Sequence, residues 1–129
     1  MQRRDRVALQ KIIEATDVGL KVFNNVSREK FLNDDGMKLS MSMTVIRIGE
    51  LVKNLSPEFR IENSQIKWKA IAGFRDVIAH KYDIVDMESS YKTIVEDFPE
   101  LKSQIKKFLK LNKKIFLQVR RIFFANVAI

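Results

Sequence analysis

The stretch Ile66-Lys67-Trp68-Lys69-Ala70-Ile71-Ala72-Gly73-Phe74-Arg75-Asp76-Val77-Ile78-Ala79-His80-Lys81-Tyr82 decides how the chain is read. Ile66, Ala70, Ile71, Phe74, Val77 and Ile78 recur at the three- and four-residue steps of a helix with one apolar face, and Ser64 just ahead is a suitable N-cap. The last turns of that helix carry the sole histidine in an Arg-x4-His-x-Tyr pattern made by Arg75, His80 and Tyr82.

Outward from this helix the chain reads as helices from end to end, an all-α domain. Val7, Ile12, Ile13, Val18, Leu20 and Val22 predict a first amphipathic helix from about Arg3 to Phe23, ended by Asn24-Asn25. Ser27 caps a short helical piece through Phe31 and Leu32, and Asn33-Asp34-Asp35-Gly36 reads as a loop. Met41, Thr44, Val45, Ile48, Leu51, Val52 and Leu55 predict a second long helix near Met37 to Leu55, closed by Ser56-Pro57. Pro57 to Asn63 reads as a linker. Met37, Met41 and Met43 read as core filler, Arg47 with Glu50 as a helix-surface pair, and Trp68 as a core or interface anchor. Beyond the motif, Asp86 caps a helix with Tyr91, Ile94 and Val95 on its inner face. Asp97-Phe98-Pro99-Glu100 then breaks the chain before a last helix, with Pro99 at its first position and Leu101, Ile105, Phe108 and Leu109 as its apolar stripe.

At 129 residues one domain is expected, large enough to form a core without staples. The lack of cysteine removes disulfides, thiolate catalysis and Cys-ligated metals, and suits a reducing cytoplasm. No segment reads as a signal peptide or membrane span. The net charge of +8 is uneven. Residues 1–100 carry 16 Lys/Arg and 16 Asp/Glu, whereas 101–129 carry eight cations and no acid. Such a segment attracts nucleic acid or anionic lipid, but it also reads simply as a solvated helix face.

The motif types suit RNA cleavage without metal. Histidine changes charge near neutral pH, so it can take a proton from a 2′-hydroxyl or give one to a leaving 5′-oxygen, and an arginine fork can hold the phosphate. Asp76 and His80, four apart, share a face on an ideal helix, so the carboxylate is placed to bond and orient the imidazole. Arg75 lies about 140° around the axis from His80. One helix therefore assembles the site poorly, and two facing copies across a two-fold axis would do better. The same residues also fit a helix C-cap within a surface ion-pair cluster.

Together with Ile46-Arg47-Ile48-Gly49-Glu50 and Asp97-Phe98-Pro99-Glu100-Leu101, the stretch from Ile66 to Tyr82 resembles the HepT-type toxins of the HEPN superfamily, over about Arg3 to Leu109. The resemblance implies an all-α, HEPN-type antiparallel helical bundle that dimerises through its motif helices. It implies the toxin of a type II toxin–antitoxin system, a metal-independent endoribonuclease without cofactor. Arg75 and His80 would be catalytic, with Asp76 the polar residue after the Arg. The implied partners are RNA, a second copy, and an MntA-type nucleotidyltransferase antitoxin that silences the toxin by attaching AMP to Tyr82. Lys81 stands where the family commonly has a small residue, and nothing from about Leu111 onward has a counterpart in the family. The expected division is a domain over 1–112 and a basic, apolar tail over 113–129. The rival expectation is a catalytically idle HEPN protein that binds a nucleotide or partner and serves as the target of a nucleotidyltransferase.

Overall fold

The computed structural model describes the backbone of residues 1–127 and, beyond 110, the side chains at 113, 114, 117, 118 and 120–122. The described chain is all-α. Its helices are α1 (Arg3–Val22), α2 (Arg28–Leu32), α3 (Asp35–Lys53), α4 (Pro57–Glu62), α5 (Trp68–His80), α6 (Met87–Lys92) and α7 (Phe98–Val127). A 3-10 turn (Tyr82–Ile84) follows α5, and a π turn (Thr93–Asp97) joins α6 to α7.

α1 and α3 run antiparallel. Asp5 at the start of α1 meets Ser56 just past α3, and Gly19 near its end meets Thr44. A Cβ on Gly19 would lie 2.6 Å from Thr44 Cγ2, so its absence sets how closely the two helices approach. α5 begins beside the end of α3, where the Trp68 ring lies tilted against that of Phe59, and packs along α3 in the most extensive helix contact of the described chain. α7 packs on α1, tied by the Asp17–Lys102 ion pair. Leu9, Ile12, Phe31, Met41, Val45, Ile48, Ile78, Ile94 and Ile105 fill the core between them.

Several sequence expectations are corrected. The buried face of α1 is Asp5, Ala8, Leu9, Ile12, Ala15, Thr16 and Gly19, while Val7, Val18 and Val22 face out, because small residues let α1 lie close to α3. Asp34 is the N-cap of α3, accepting from the Met37 N–H, so Asp35 and Gly36 are helical rather than loop. The expected linker after Pro57 is a helix. Ser56 caps it through the Phe59 N–H, and Pro57 occupies its first position, where a missing N–H costs nothing. Ser64 caps nothing: α5 starts at Trp68, whose indole N–H donates to the Asn63 carbonyl. Met41 is core, but Met43 is exposed.

No break separates α6 from α7. The backbone widens into the π turn directly before Pro99, and the Phe98 N–H reaches the Thr93 carbonyl. The wider turn makes room for a pyrrolidine ring that would collide with the preceding carbonyl in an α-helix. α7 also passes unbroken through the boundary expected at 112–113. Residues 128 and 129 and the Leu111 side chain lie outside the described residues.

At the α1–α3 end, a buried carboxylate replaces apolar packing. Asp5 accepts from the Ser56 N–H and the Ser56 hydroxyl, both at 2.7 Å, while that hydroxyl caps α4. Three otherwise unpaired buried groups satisfy one another. Among the described residues no helix is long and apolar enough to cross a membrane.

Candidate active site on the motif helix

Arg75 sits where α5 presses on α3. A Cβ on Gly49 would come within 2.7 Å of Arg75 Cγ and closer still to its Cβ, so the arginine stem occupies the space that a larger residue at 49 would fill. From there its guanidinium meets two acids. Nη1 donates to Asp76 Oδ1 at 3.0 Å, and Nε lies 2.6 Å from Glu50 Oε1. That second contact is an ion pair rather than a hydrogen bond, since the buried Nε–H finds no aligned acceptor. With Nε and one Nη1 proton so engaged, the Nη2 edge keeps donors for an anion.

Asp76 is also held from α3, because Lys53 Nζ donates to Oδ1 at 2.6 Å. This lysine bond first, and the Arg75 bond second, hold the Asp76 carboxyl below the ordinary aspartate range. The four groups Glu50, Lys53, Arg75 and Asp76 thus form one neutral network across α3 and α5. The expected Asp76–His80 bond is not made. Asp76 serves Lys53 and Arg75 instead, because α3 supplies a full positive charge on that side of α5. Glu50 likewise pairs with Arg75 and Lys53 rather than Arg47.

His80 is the last residue of α5 and is exposed. Tyr82 opens the following 3-10 turn, half-buried. No hydrogen bond or ion pair joins His80 to Arg75 or Asp76 within the described chain: helical rotation turns Arg75 away from His80, and Asp76, though on the same face, is engaged by Lys53 and Arg75. His80 continues a strip of exposed positions, Ala70, Gly73 and Val77, spaced three and four apart along α5. A Cβ at Gly73 would meet nothing within 4 Å. These four positions carry no charge ahead of His80 and are exposed in the described chain.

Of the motif residues, the fold therefore joins Arg75 to Asp76 and leaves His80 apart. The sequence reading missed Lys53, and it placed Glu50 with the wrong partner. The signal available was Gly49, a glycine inside a strongly periodic helix, which marks a close approach. No group of three or more His, Cys, Asp or Glu side chains among the described residues is arranged to hold a metal.

The family model described as Ribonuclease HepT-like matches residues 7–108. A protein of Caldanaerobacter subterraneus subsp. tengcongensis, provisionally named an RNase, is 34% identical over 84% of this chain and 96% of its own length. One from Methanocaldococcus jannaschii, also provisionally named an RNase, is 31% identical over 85% of this chain and 92% of its own. A third from Thermococcus cleftensis, provisionally named ribonuclease HepT, is 31% identical over 85% of this chain and its own entire length. No solved structure gives a significant match.

Proposed function

Because the chain belongs to the HepT-like ribonuclease family, with its HEPN-type helical fold, we propose that it is a metal-independent endoribonuclease, the toxin of a type II toxin–antitoxin pair. The observation that carries this reading is the pairing of an arginine fixed between Glu50 and Asp76 with a histidine standing exposed on an uncovered strip of the same helix.

Cleaving RNA without metal needs one group to accept the 2′-hydroxyl proton and another to protonate the 5′-oxygen that leaves. A single chain supplies one histidine. Two copies facing along Ala70, Gly73, Val77 and His80 would supply two, while Arg75, its stem on the α3 side of α5, would enter the site only by the reach of its guanidinium. His80 is then the acid and base. Arg75 binds the phosphate through its uncommitted edge and stabilises its added charge in the transition state. Asp76 and Glu50 are positioning residues that hold the guanidinium. A cognate MntA-type nucleotidyltransferase would silence the site by attaching AMP to Tyr82, two residues beyond His80, where the added phosphate and base would repel and block RNA.

The test is an RNase assay on the purified protein and on His80→Ala, with EDTA present. Cleavage by the parent and its loss in the variant is the expected result. A second reading draws on the engagement of Arg75 by two carboxylates, which would suit an idle protein that is mainly the target of the nucleotidyltransferase. Parent protein that cuts nothing but accepts AMP would favour it.

A further inference from the structure

All of the chain's excess charge lies in 101–129, and α7 arranges it on one side. At about 100° per residue, Lys106, Lys107, Lys110, Lys113, Lys114, Arg120 and Arg121 fall within an arc of about 140°, spread along about 22 Å of helix. All seven are exposed. The eighth cation of the segment, Lys102, shares their arc and pairs with Asp17. On the opposite side, Leu101 and Ile105 are buried in the core.

We propose that this stripe is a binding surface for the phosphate backbone of RNA. Seven cations on one side of a rod, with no acid among them, complement a polyanion and gain by releasing its counterions. A bilayer is the poorer fit. An interfacial helix must lay its apolar face into the lipid, and along the first half of the stripe that face is already occupied by the core. The stripe also joins further positive charge. The ring contact of Phe59 with Phe108 puts α7 beside α4, at the end of the bundle where α3 gives way to α4. Two shallow hollows open at that end. Arg3, Arg4 and Lys11 line one, and Arg60, Lys67 and Lys69 line the other. His80 lies at the far end of α5. The stripe therefore grips RNA away from the scissile bond and lends affinity for long substrates, with no part in the chemistry. The choice of RNA as the polyanion rests on the ribonuclease reading.

The test measures binding of a fluorescein-labelled 20-nucleotide single-stranded RNA to the full chain by anisotropy, across a salt series. In the stripe variant, Lys106, Lys110, Lys113, Lys114 and Arg121 become Gln. In a control, Lys21, Lys30 and Lys92, exposed elsewhere, become Gln. The stripe variant should bind at least tenfold more weakly, and its log–log salt slope should be shallower by up to about 3.5. The control should stay within twofold of the parent. RNA affinity within twofold of the parent in the stripe variant would overturn the proposal. So would a parent that binds phosphatidylserine vesicles but not RNA. Stripe-dependent RNA binding by a parent that cuts nothing would uphold the stripe and sink the catalytic reading. Cleavage of long RNA with KM unchanged in the stripe variant would do the reverse.

Discussion

Gly49 and Arg75 fit only as a pair: the stem of Arg75 occupies the space that a side chain at 49 would need. This makes a glycine inside α3 a determinant of where a guanidinium on α5 points. Adding a methyl at 49 must push the helices apart or swing Arg75 away from Glu50 and Asp76.

Gly49→Ala should therefore lose about 1–3 kcal/mol of stability through overpacking and, per folded molecule, most of its cleavage activity. Adding Arg75→Gly to it should recover part of the stability, offset by about 1 kcal/mol for a glycine in a helix interior, and none of the activity. Thermal melts with an RNase assay on the parent, Gly49→Ala, Arg75→Gly and the double variant check this. Equal stability of Gly49→Ala and the parent would contradict it.

Asp76 titrates below the ordinary aspartate range because Lys53 and Arg75 bind its ionised form. The folded value is depressed, so its contribution to stability is present above the unfolded pKa and is lost as pH falls through the folded one. Carboxyl NMR should show Asp76 still ionised where exposed aspartates are half protonated, and Lys53→Met should move it upward. As the group stays charged near neutrality, Asp76→Asn should weaken cleavage without moving the acid limb of the pH–rate profile, whereas an Asp76 acting as the proton donor would shift that limb.

Gly73→Arg separates folding from assembly. A Cβ there meets nothing within 4 Å in the single chain and the position is exposed, so the melt should change little. If the strip ending in His80 is the two-fold interface, the variant should sediment as a monomer at micromolar concentration where the parent is a dimer, and should stop cutting RNA. A monomeric variant with full activity would rule out a composite site.

His80→Ala and Arg75→Ala should each abolish cleavage, and the double variant should be hardly worse than either, since groups acting as a unit are strongly non-additive. Tyr82→Phe should still cut, yet take up no AMP from its cognate nucleotidyltransferase, ATP and magnesium. AMP mass on a different residue would leave catalysis standing and remove the regulatory half of the reading.

Asp5 should matter for stability alone. Asp5→Ala leaves the Ser56 N–H buried without an acceptor, at a cost of about 1–3 kcal/mol, while activity per folded molecule is retained. Chemical denaturation checks the first, and active-fraction-corrected assays the second.

Periodicity exposed α3 and α5 because their apolar residues are large and closely spaced, and caps such as Ser27 and Asp86 lie in plain side-chain chemistry. α1 misled because Ala8, Ala15, Thr16 and Gly19, much of its buried face, carry little hydrophobic signal. α4 was hidden by Pro57, which marks a helix start as readily as a stop. Arg75, Asp76 and His80 were visible in sequence as a spacing. The network that holds Arg75 and Asp76 and leaves His80 apart was not, because Lys53 and Glu50 reach Arg75 and Asp76 from another helix, and no local pattern reports a charge arriving from 23 residues away.

The π turn before Pro99 lets α6 and α7 share one backbone run from Met87 to Val127. A run without a joint behaves as a lever. From the π turn to Val127 it extends about 45 Å, so a tilt of about 5° at α6 would sweep the far end through about 4 Å. α6 is fastened at its base, by the Asp86 cap and by the Tyr91 hydroxyl on the Val26 carbonyl, within ten residues of Tyr82. A bulky group added near that base would press on the same backbone run that carries the basic stripe of α7.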